Sequence, residues 1–366
     1  MRKEQVEESP VGPIIGSWRT ASAADPGKDG PMVRQGLGEV LITSHIFGVT
    51  HADAFDLLMR EGVKYDLQRR PAGSWNEELL IELLRGKQGI IAGVEEPLRR
   101  KVMEASPELK VISRLGVGVD NVELAAATEH GIVVTITLEA NVNATADLTF
   151  ALIMAVARRI PQLDRIMREG QWQLIIAEDV SEKTLGIVGL GRIGKAVARR
   201  ARGFDMKILA YDKIQDPVFG DEYGIRYVSL PELLSSSDFV TVHLSPSPQT
   251  VKFIGETELN LMKPTAFLIN ASRGVIVDET ALIRALQEGW IAGAGLDVYE
   301  KEPLQESPLL TLSNVVLTPH IGGATSPALR AMSLRSAENV VQVLRGQKPV
   351  GVVNPEVYTL GPGGEG

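Results

Sequence analysis

The sequence of 366 residues contains no cysteine, has only five histidines and lacks a long hydrophobic run. Without cysteine the chain can form no disulfide, thiolate metal site or cysteine nucleophile, and we expect no metal site. Its longest apolar stretch, residues 150–157, is far shorter than the roughly 20 residues that a membrane span needs. No apolar segment typical of a secretory signal follows the N-terminus. These absences predict a cytoplasmic protein that does not enter membranes.

Positive charge is in the minority, because 38 Lys and Arg residues face 46 Asp and Glu residues, a formal net charge of −8. This balance argues against a nucleic-acid partner. Hydrophobic residues make up 44% of the chain and charged residues 23%, which is typical of globular proteins. At about 150 residues per domain, the length predicts two domains.

Short apolar runs alternate with helix-like segments along most of the chain. Residues 1–37 are rich in glycine, proline and charge, and are predicted to form a tail or extended arm. Beyond them, runs such as VLITS, GIIAG and GIVVT alternate with helical patterns, which is typical of parallel β-α units. A long helical segment beginning near Asn141 interrupts the series, and six further strand candidates follow it.

The predicted fold class is therefore α/β, with two Rossmann-like domains, each a doubly wound parallel sheet, and a cleft between them. We assign residues 38–140 together with residues 320–350 to one domain, which is then discontinuous in sequence. Residues 141–319 form the other domain. This division predicts that the last long helix returns to pack on the first domain.

A G-x-G-x-x-G pattern of Gly189, Gly191 and Gly194 lies between an apolar run and a helical stretch. There the glycines permit a tight turn, close approach of backbone N–H groups to a pyrophosphate, and close helix-strand packing. A glycine-rich turn without a ligand is the alternative interpretation. Asp212, ending the next predicted strand, favours a dinucleotide, because a carboxylate there accepts ribose hydroxyls and repels a 2′-phosphate. We predict NAD rather than NADP, although the neighbouring Lys213 acts in the opposite direction.

Three charged or titratable residues, Arg273, Glu302 and His320, follow three predicted strands of the second series. Because ligands bind beyond the carboxyl ends of strands in open α/β sheets, we expect these side chains to share one crevice. Each alone has an alternative role in a surface ion pair or a structural hydrogen bond. Together, an arginine can hold a carboxylate, and an imidazole beside a carboxylate can transfer a proton as a hydride moves.

On these motifs the sequence resembles the NAD-dependent D-2-hydroxyacid dehydrogenases over about residues 40–345. The stretches NASRGVIVDE, DVYEKEP and TPHIGG are similar to the family's patterns around its catalytic arginine, glutamate and histidine. The resemblance implies that Arg273 clamps the substrate, that His320 transfers the proton and that Glu302 supports His320. It also implies that residues 38–140 and 320–350 form the substrate domain and residues 141–319 the NAD-binding domain.

The resemblance also implies roles around the cofactor. It assigns Asp297 to the nicotinamide carboxamide, Arg192 and Ile193 to the pyrophosphate loop, and Ala271 and Gly322 to backbone contacts beside the nicotinamide.

On the substrate side, the stretch SRLGVGVDNV is most similar to phosphoglycerate dehydrogenases. The resemblance places Gly116 and Val117 in a loop whose backbone N–H groups bind the substrate carboxylate, and Arg114 where it can face a substrate phosphate. Glu95 and Glu96 depart from the family, which commonly has a second cation and hydroxyls in that loop. Carboxylates that face the pocket there would repel a phosphate.

The resulting hypothesis is an oxidoreductase that transfers a hydride between NAD(H) and a D-2-hydroxy acid/2-oxo acid pair. 3-Phosphoglycerate is the leading substrate candidate, and glyoxylate, hydroxypyruvate or a bulkier 2-oxo acid are the alternatives. An NADH-sensing binding protein, similar to the corepressors of this family, is the alternative from another class. The resemblance also implies a homodimer, in which Trp172 and the apolar residues after it suit an interface as well as they suit a buried core.

Overall fold

The computed structural model describes residues 36–71 and 73–360, so the predicted tail lies outside the described residues except for its last two. The first part of the described chain alternates strands and helices: β1 (Gly38–Ile42), α1 (Asp53–Arg60), β2 (Val63–Leu67), α2 (Glu77–Leu83), β3 (Gly89–Ala92), α3 (Arg100–Glu104), β4 (Val111–Arg114), α4 (Leu124–Glu129) and β5 (Val133–Ile136).

Two helices lead into a second alternating series: α5 (Val142–Ala157), α6 (Ile160–Arg168), β6 (Thr184–Val188), α7 (Arg192–Ala201), β7 (Lys207–Tyr211), α8 (Pro217–Tyr223), β8 (Ile225–Tyr227), α9 (Leu230–Ser236), β9 (Phe239–Val242), α10 (Glu256–Leu261), β10 (Phe267–Asn270), α11 (Glu279–Glu288), β11 (Gly293–Leu296), β12 (Val315–Leu317), α12 (Ser326–Leu344) and α13 (Val357–Leu360). None of the described helices combines the length and the apolar composition of a membrane span.

The strands form two parallel sheets, one of five strands in the order β2-β1-β3-β4-β5 and one of seven in the order β12-β11-β10-β9-β6-β7-β8. Central strands such as β3 and β9 are buried at every position, because helices cover both faces of each sheet. Their sequences, GIIA and FVTV, are accordingly apolar or β-branched almost throughout. The prediction of an α/β protein with two doubly wound parallel sheets is confirmed.

Two strands were missed by the sequence analysis, and both lie at sheet edges. Strand β2 pairs only with β1, and β8 pairs only with β7, among the described residues. Each is buried at its first residue and partly exposed beyond it. An edge strand needs no continuous apolar run, because one of its sides faces solvent, and this explains why the apolar pattern overlooked both.

Helix α12 returns from the end of the second series to the five-stranded sheet. Leu329, Met332 and Val340 of this helix pack into the core cluster that contains Val40 and Ile42 of β1. The preceding long helix, α5, behaves differently, because its apolar residues pack against β10 and β11 of the seven-stranded sheet. The chain therefore crosses between the two sheets once before α5 and once before α12.

Candidate active site

The loops that follow the strands of the two sheets meet in a cleft. Arg273, just after β10, pairs with Asp120 in the loop after β4, with Nε and Oδ2 3.0 Å apart. Gly118 of the same loop lies directly against the Arg273 guanidinium. Glu302 follows β11 and His320 follows β12. The site thus forms at the carboxyl ends of strands from both sheets, where open α/β sheets bind their ligands.

His320 and Glu302 form the central pair of this site. The imidazole Nδ1 lies 2.7 Å from Glu302 Oε2, and both side chains are about one-third exposed, at 33% each. The other carboxylate oxygen, Oε1, accepts a hydrogen bond from the Tyr299 N–H at 3.0 Å. Glu302 is therefore fixed on one side by its own loop and contacts the histidine on the other.

The charge state of Glu302 decides the direction of its bond to His320. Burial acts to raise the pKa of Glu302, but the hydrogen bond and charge of His320, the Tyr299 N–H and the charge of Arg273 together hold that pKa below its ordinary value. An ionised carboxylate only accepts hydrogen bonds, so Nδ1 is the donor. Glu302 does not contact Nε2, and this nitrogen is therefore the one that can exchange a proton with a ligand in the cleft.

The backbone around His320 is held in an uncommon conformation, with a φ of +54°. Asp297 holds it there: its carboxylate accepts the N–H groups of Ile321 and Gly322, each at 2.8 Å, and its carbonyl accepts the His320 N–H at 2.9 Å. The Thr318 hydroxyl donates to the same carboxylate at 2.7 Å. A left-handed non-glycine residue persists only where its surroundings impose it, and this network does so.

Asp297 is 1% exposed, and burial raises its pKa against the opposing effect of its hydrogen bonds from Ile321, Thr318 and Gly322. Tyr299 strengthens the same loop, since its hydroxyl donates to the carbonyl of Thr318 at 2.9 Å. The sequence analysis assigned Asp297 to the nicotinamide carboxamide and did not single out Tyr299. The structure shows that Asp297 shapes the loop that presents His320, whereas the role predicted for it at the nicotinamide carboxamide stays a prediction.

The predicted substrate loop lies in the first sheet's half of the cleft, but its residues are engaged differently from the expectation. Arg114 is 1% exposed, and its guanidinium donates to the carbonyls of Ala92, at 2.8 Å, of Gly118, at 3.0 Å, and of Gly93. Burial lowers the pKa of Arg114 to about 10, so it is charged at neutral pH. Arg114 therefore links two loops from inside the protein, and the role predicted for it at a substrate phosphate stays a prediction.

Gly116 also has an internal partner. Its N–H donates to the Thr137 hydroxyl at 2.9 Å, and its φ of +139° suits glycine alone. This N–H therefore faces the end of β5, whereas the expectation was a bond to the substrate carboxylate. The role predicted for Val117 stays a prediction.

The two glutamates that depart from the family pattern lie in different places. Glu95 is turned outward, where it accepts the Gly73 N–H at 2.9 Å. Glu96 is 1% exposed, its Oε2 has no hydrogen-bond partner among the described residues, and its charge acts on Arg114. The buried carboxylate thus offsets the buried guanidinium at the floor of this half of the cleft.

The glycine-rich turn between β6 and α7 has the geometry that a dinucleotide pyrophosphate requires. Gly189 has a φ of +96°, and a Cβ added there would lie 2.8 Å from the His243 carbonyl oxygen. A Cβ on Gly194 would overlap the carbonyl of Gly189, whereas the Cβ position of Gly191 opens into free space. The turn is therefore closely packed at Gly189 and Gly194 and open at Gly191, next to the N-terminus of α7. This space and these backbone N–H groups fit the pyrophosphate of the cofactor.

The other predicted cofactor residues surround this turn. Asp212 directly follows β7 and accepts the N–H groups of Leu190, at 2.7 Å, and Ile214, at 2.9 Å. Arg192, the first residue of α7, pairs with Glu139 through Nε and Oε1, which are 3.2 Å apart. The side chain of Ile193 packs against the core, so only its backbone can serve a pyrophosphate.

Nearer the catalytic pair, Ala271 is buried just after β10, and Gly322 is bound to Asp297. These positions bring the candidate cofactor and substrate residues to one cleft. Besides Tyr299, the sequence analysis missed Asp120, the partner of Arg273. It stands within the quoted stretch SRLGVGVDNV, but nothing in the local pattern links it to an arginine so distant in the chain.

Comparison with known proteins agrees with this geometry. Residues 150–322 match the family model described as D-isomer specific 2-hydroxyacid dehydrogenase, NAD binding domain. A glyoxylate reductase of Korarchaeum cryptofilum is 45% identical over 296 residues, covering 79% of this chain and 89% of that protein.

Two solved structures are similar over nearly their whole length. The TT0316 protein of Thermus thermophilus is 38% identical with a TM-score of 0.80, covering 86% of this chain and 99% of that one. A glyoxylate reductase of Paecilomyes thermophila is 33% identical with a TM-score of 0.77, covering 87% and 98%. The chain is therefore an NAD-dependent oxidoreductase, and it belongs to the D-isomer specific 2-hydroxyacid dehydrogenase family.

Proposed function

We propose that this enzyme uses NAD(H) to interconvert glyoxylate, or a similarly small unphosphorylated 2-oxo acid, with the corresponding 2-hydroxy acid, which is the D-isomer wherever that product is chiral. The observation that carries the reaction is the His320–Glu302 pair, 2.7 Å apart, at the cleft that Arg273 enters. Relatives named glyoxylate reductase support the substrate class and favour this alternative over 3-phosphoglycerate.

Arg273 binds the substrate carboxylate and polarises the adjacent carbonyl, because a planar guanidinium can donate to both groups at once. His320 Nε2 donates a proton to the carbonyl oxygen during reduction and takes it back during oxidation. Glu302 holds Nδ1–H and stabilises the charged imidazole. The nicotinamide cofactor, when bound, supplies or accepts the hydride. Asp212 and the Gly189–Gly194 turn hold it, and the Asp212 carboxylate disfavours a 2′-phosphate.

Charge at the substrate end of the cleft supports a small monoanionic acid. Three N–H···O bonds to carbonyl groups occupy Arg114, and Glu96 adds a buried negative charge beside it. A phosphorylated substrate would bring further negative charge to a region whose buried cation is already engaged.

The test is a panel of 2-oxo acids, with glyoxylate, hydroxypyruvate, pyruvate and 3-phosphohydroxypyruvate followed by NADH absorbance. We expect glyoxylate or hydroxypyruvate to have the highest kcat/KM. Turnover restricted to the phosphorylated acid would refute the proposed substrate class. Tight NADH binding with no turnover of any 2-oxo acid would instead favour a cofactor-sensing binding protein.

The proton-transfer role is tested by His320→Ala, with the exposed His51→Ala as the matched control. His320→Ala should lower kcat by about 10²- to 10⁴-fold, the usual contribution of a positioned acid or base, and leave NADH affinity unchanged. His51→Ala should change neither. Near-normal turnover by His320→Ala would contradict the assignment.

We also propose that the enzyme is a homodimer that covers the apolar segment after α6. In the single chain, Trp172, Leu174 and Ile176 are 90%, 95% and 87% exposed. Three large apolar side chains so close together are costly to leave in water, and a second copy that buries them removes this cost. Sedimentation should therefore give a dimer for the wild type and a larger monomer fraction for Trp172→Glu. A monomeric wild type would refute the proposal.

A further inference from the structure

We propose that Asp120 is a positioning residue, which orients the Arg273 guanidinium from the opposite side of the cleft for capture of the substrate carboxylate. Asp120 Oδ2 lies 3.0 Å from Arg273 Nε. Asp120 belongs to the loop after β4 of the five-stranded sheet, and Arg273 follows β10 of the seven-stranded sheet. The inference rests on the proposed function, because it takes Arg273 as the group that binds the substrate carboxylate.

Hydrogen bonds to neighbouring residues hold the loop that carries Asp120 in place. The buried Arg114 donates through Nε to the Gly118 carbonyl at 3.0 Å. Asn121 Nδ2 donates to the Glu96 carbonyl at 2.8 Å, and the Gly116 N–H donates to Thr137. These hydrogen bonds hold the loop in place, so that Asp120 meets Arg273 from a fixed backbone position.

Asp120 leaves the substrate-binding edge of the arginine free. A guanidinium has five N–H donors. Asp120 takes the one on Nε, and the Ser272 carbonyl takes one on Nη1 at 2.7 Å. The remaining donors are on Nη1 and Nη2, and this edge can donate to the substrate carboxylate and to the adjacent carbonyl oxygen.

The Arg273 guanidinium is thus held by Asp120 from the side of the five-stranded sheet and by the Ser272 carbonyl from its own side. Without the Asp120 anchor, the long Arg273 side chain would regain rotamer freedom that it must give up again to bind substrate. Gly118 serves the same arrangement, because a Cβ at this position would overlap Arg273 Nη2.

The competing interpretation is that Asp120 occupies the place of a substrate carboxylate and must be displaced. The two interpretations predict opposite changes in affinity. A positioning carboxylate helps substrate to bind, so that its removal raises KM, whereas a competing carboxylate hinders binding, so that its removal lowers KM.

The experiment compares wild type with Asp120→Asn. The matched control is Asp164→Asn, since Asp164 forms a surface ion pair with Arg168 at 2.8 Å far from the cleft. We measure kcat and KM for glyoxylate, inhibition by oxamate (a 2-oxo acid isostere), NADH affinity and melting temperature. Asp120→Asn should raise both KM and the oxamate inhibition constant about fivefold, the ratio that a partly exposed ion pair worth about 1 kcal/mol gives. NADH affinity should not change, and the melting temperature should fall by no more than about 2–4 °C, the shift that 1 kcal/mol produces.

Gly118→Ala provides a second route, because it keeps the Asp120 carboxylate and displaces Arg273 Nη2. It should also raise KM and weaken oxamate at constant NADH affinity. An unchanged or lower KM for Asp120→Asn, or a joint loss of NADH affinity and melting temperature, would overturn the positioning role while leaving the proposed function intact. A wild-type enzyme that reduces no 2-oxo acid would overturn both.

Discussion

His243, at the end of β9, is a buried histidine whose charge state makes stability depend on pH. Neither ring nitrogen has a hydrogen-bond partner among the described residues. Burial lowers the pKa of His243 to about 4, because no neighbouring group stabilises the imidazolium. Its replacement by leucine removes the titrating group and breaks no hydrogen bond of the described structure.

The magnitude follows from linkage between folding and protonation. In the unfolded chain a histidine titrates near 6.5, so the unfolded chain binds a proton between about pH 6.5 and 4 that the folded protein does not bind. The stability associated with neutral His243 is fully present above pH 6.5 and is lost as pH falls towards 4. A pKa of about 4 for His243 gives a loss of about 2 kcal/mol at pH 5, at 1.36 kcal/mol per pKa unit.

The assay is urea unfolding of wild type and His243→Leu at pH 8 and pH 5 without cofactor. Other groups titrate alike in the two proteins, so the difference between them isolates His243. We expect the variant to gain about 2 kcal/mol relative to wild type between pH 8 and pH 5. The exposed His51→Leu is the control and should show no such gain. A gap between wild type and His243→Leu that does not depend on pH would refute the reasoning.

Two further predictions concern buried groups. Arg114→Met removes the donors to the Ala92 and Gly118 carbonyls and leaves the Glu96 charge without its cation, so it should cost about 3 kcal/mol of unfolding free energy. An unchanged melting temperature would contradict the anchoring role. Gly194→Ala introduces a Cβ that overlaps the Gly189 carbonyl, so it should weaken NADH binding at least tenfold (roughly 1.4 kcal/mol) in a fluorescence titration. Wild-type affinity would show that the turn can relax.

The sequence predicted the centre of each sheet better than its edges. A central strand such as β9 is buried on both faces, and its sequence, FVTV, is therefore a continuous run of apolar or β-branched residues. The edge strand β2, VKYDL, alternates apolar and polar residues and is buried only at Val63. This alternation is the local signal of a half-buried strand, so a search for continuous apolar runs overlooked a pattern that the sequence contains.

The same distinction separates the site residues that were predicted from those that were missed. Arg273, Glu302 and His320 were predictable, because each follows its own strand and parallel strands bring their carboxyl ends together. Asp120 was not, because its significance comes from an ion pair between residues 153 positions apart in sequence. Pairing of that kind is decided by how the two sheets face each other.

Arg114 shows why the substrate is harder to infer than the reaction. A cation at the end of a strand suits a substrate phosphate, but its direction depends on the loop after the neighbouring strand. Here that loop offers the carbonyls of Ala92 and Gly93, and Glu96 adds a buried charge, so the guanidinium turns inward. In the proposed function Arg273 is then the cation for the substrate, and Asp120 lies at its Nε. A single guanidinium edge matches a single carboxylate, and this charge balance favours a small monoanionic 2-oxo acid.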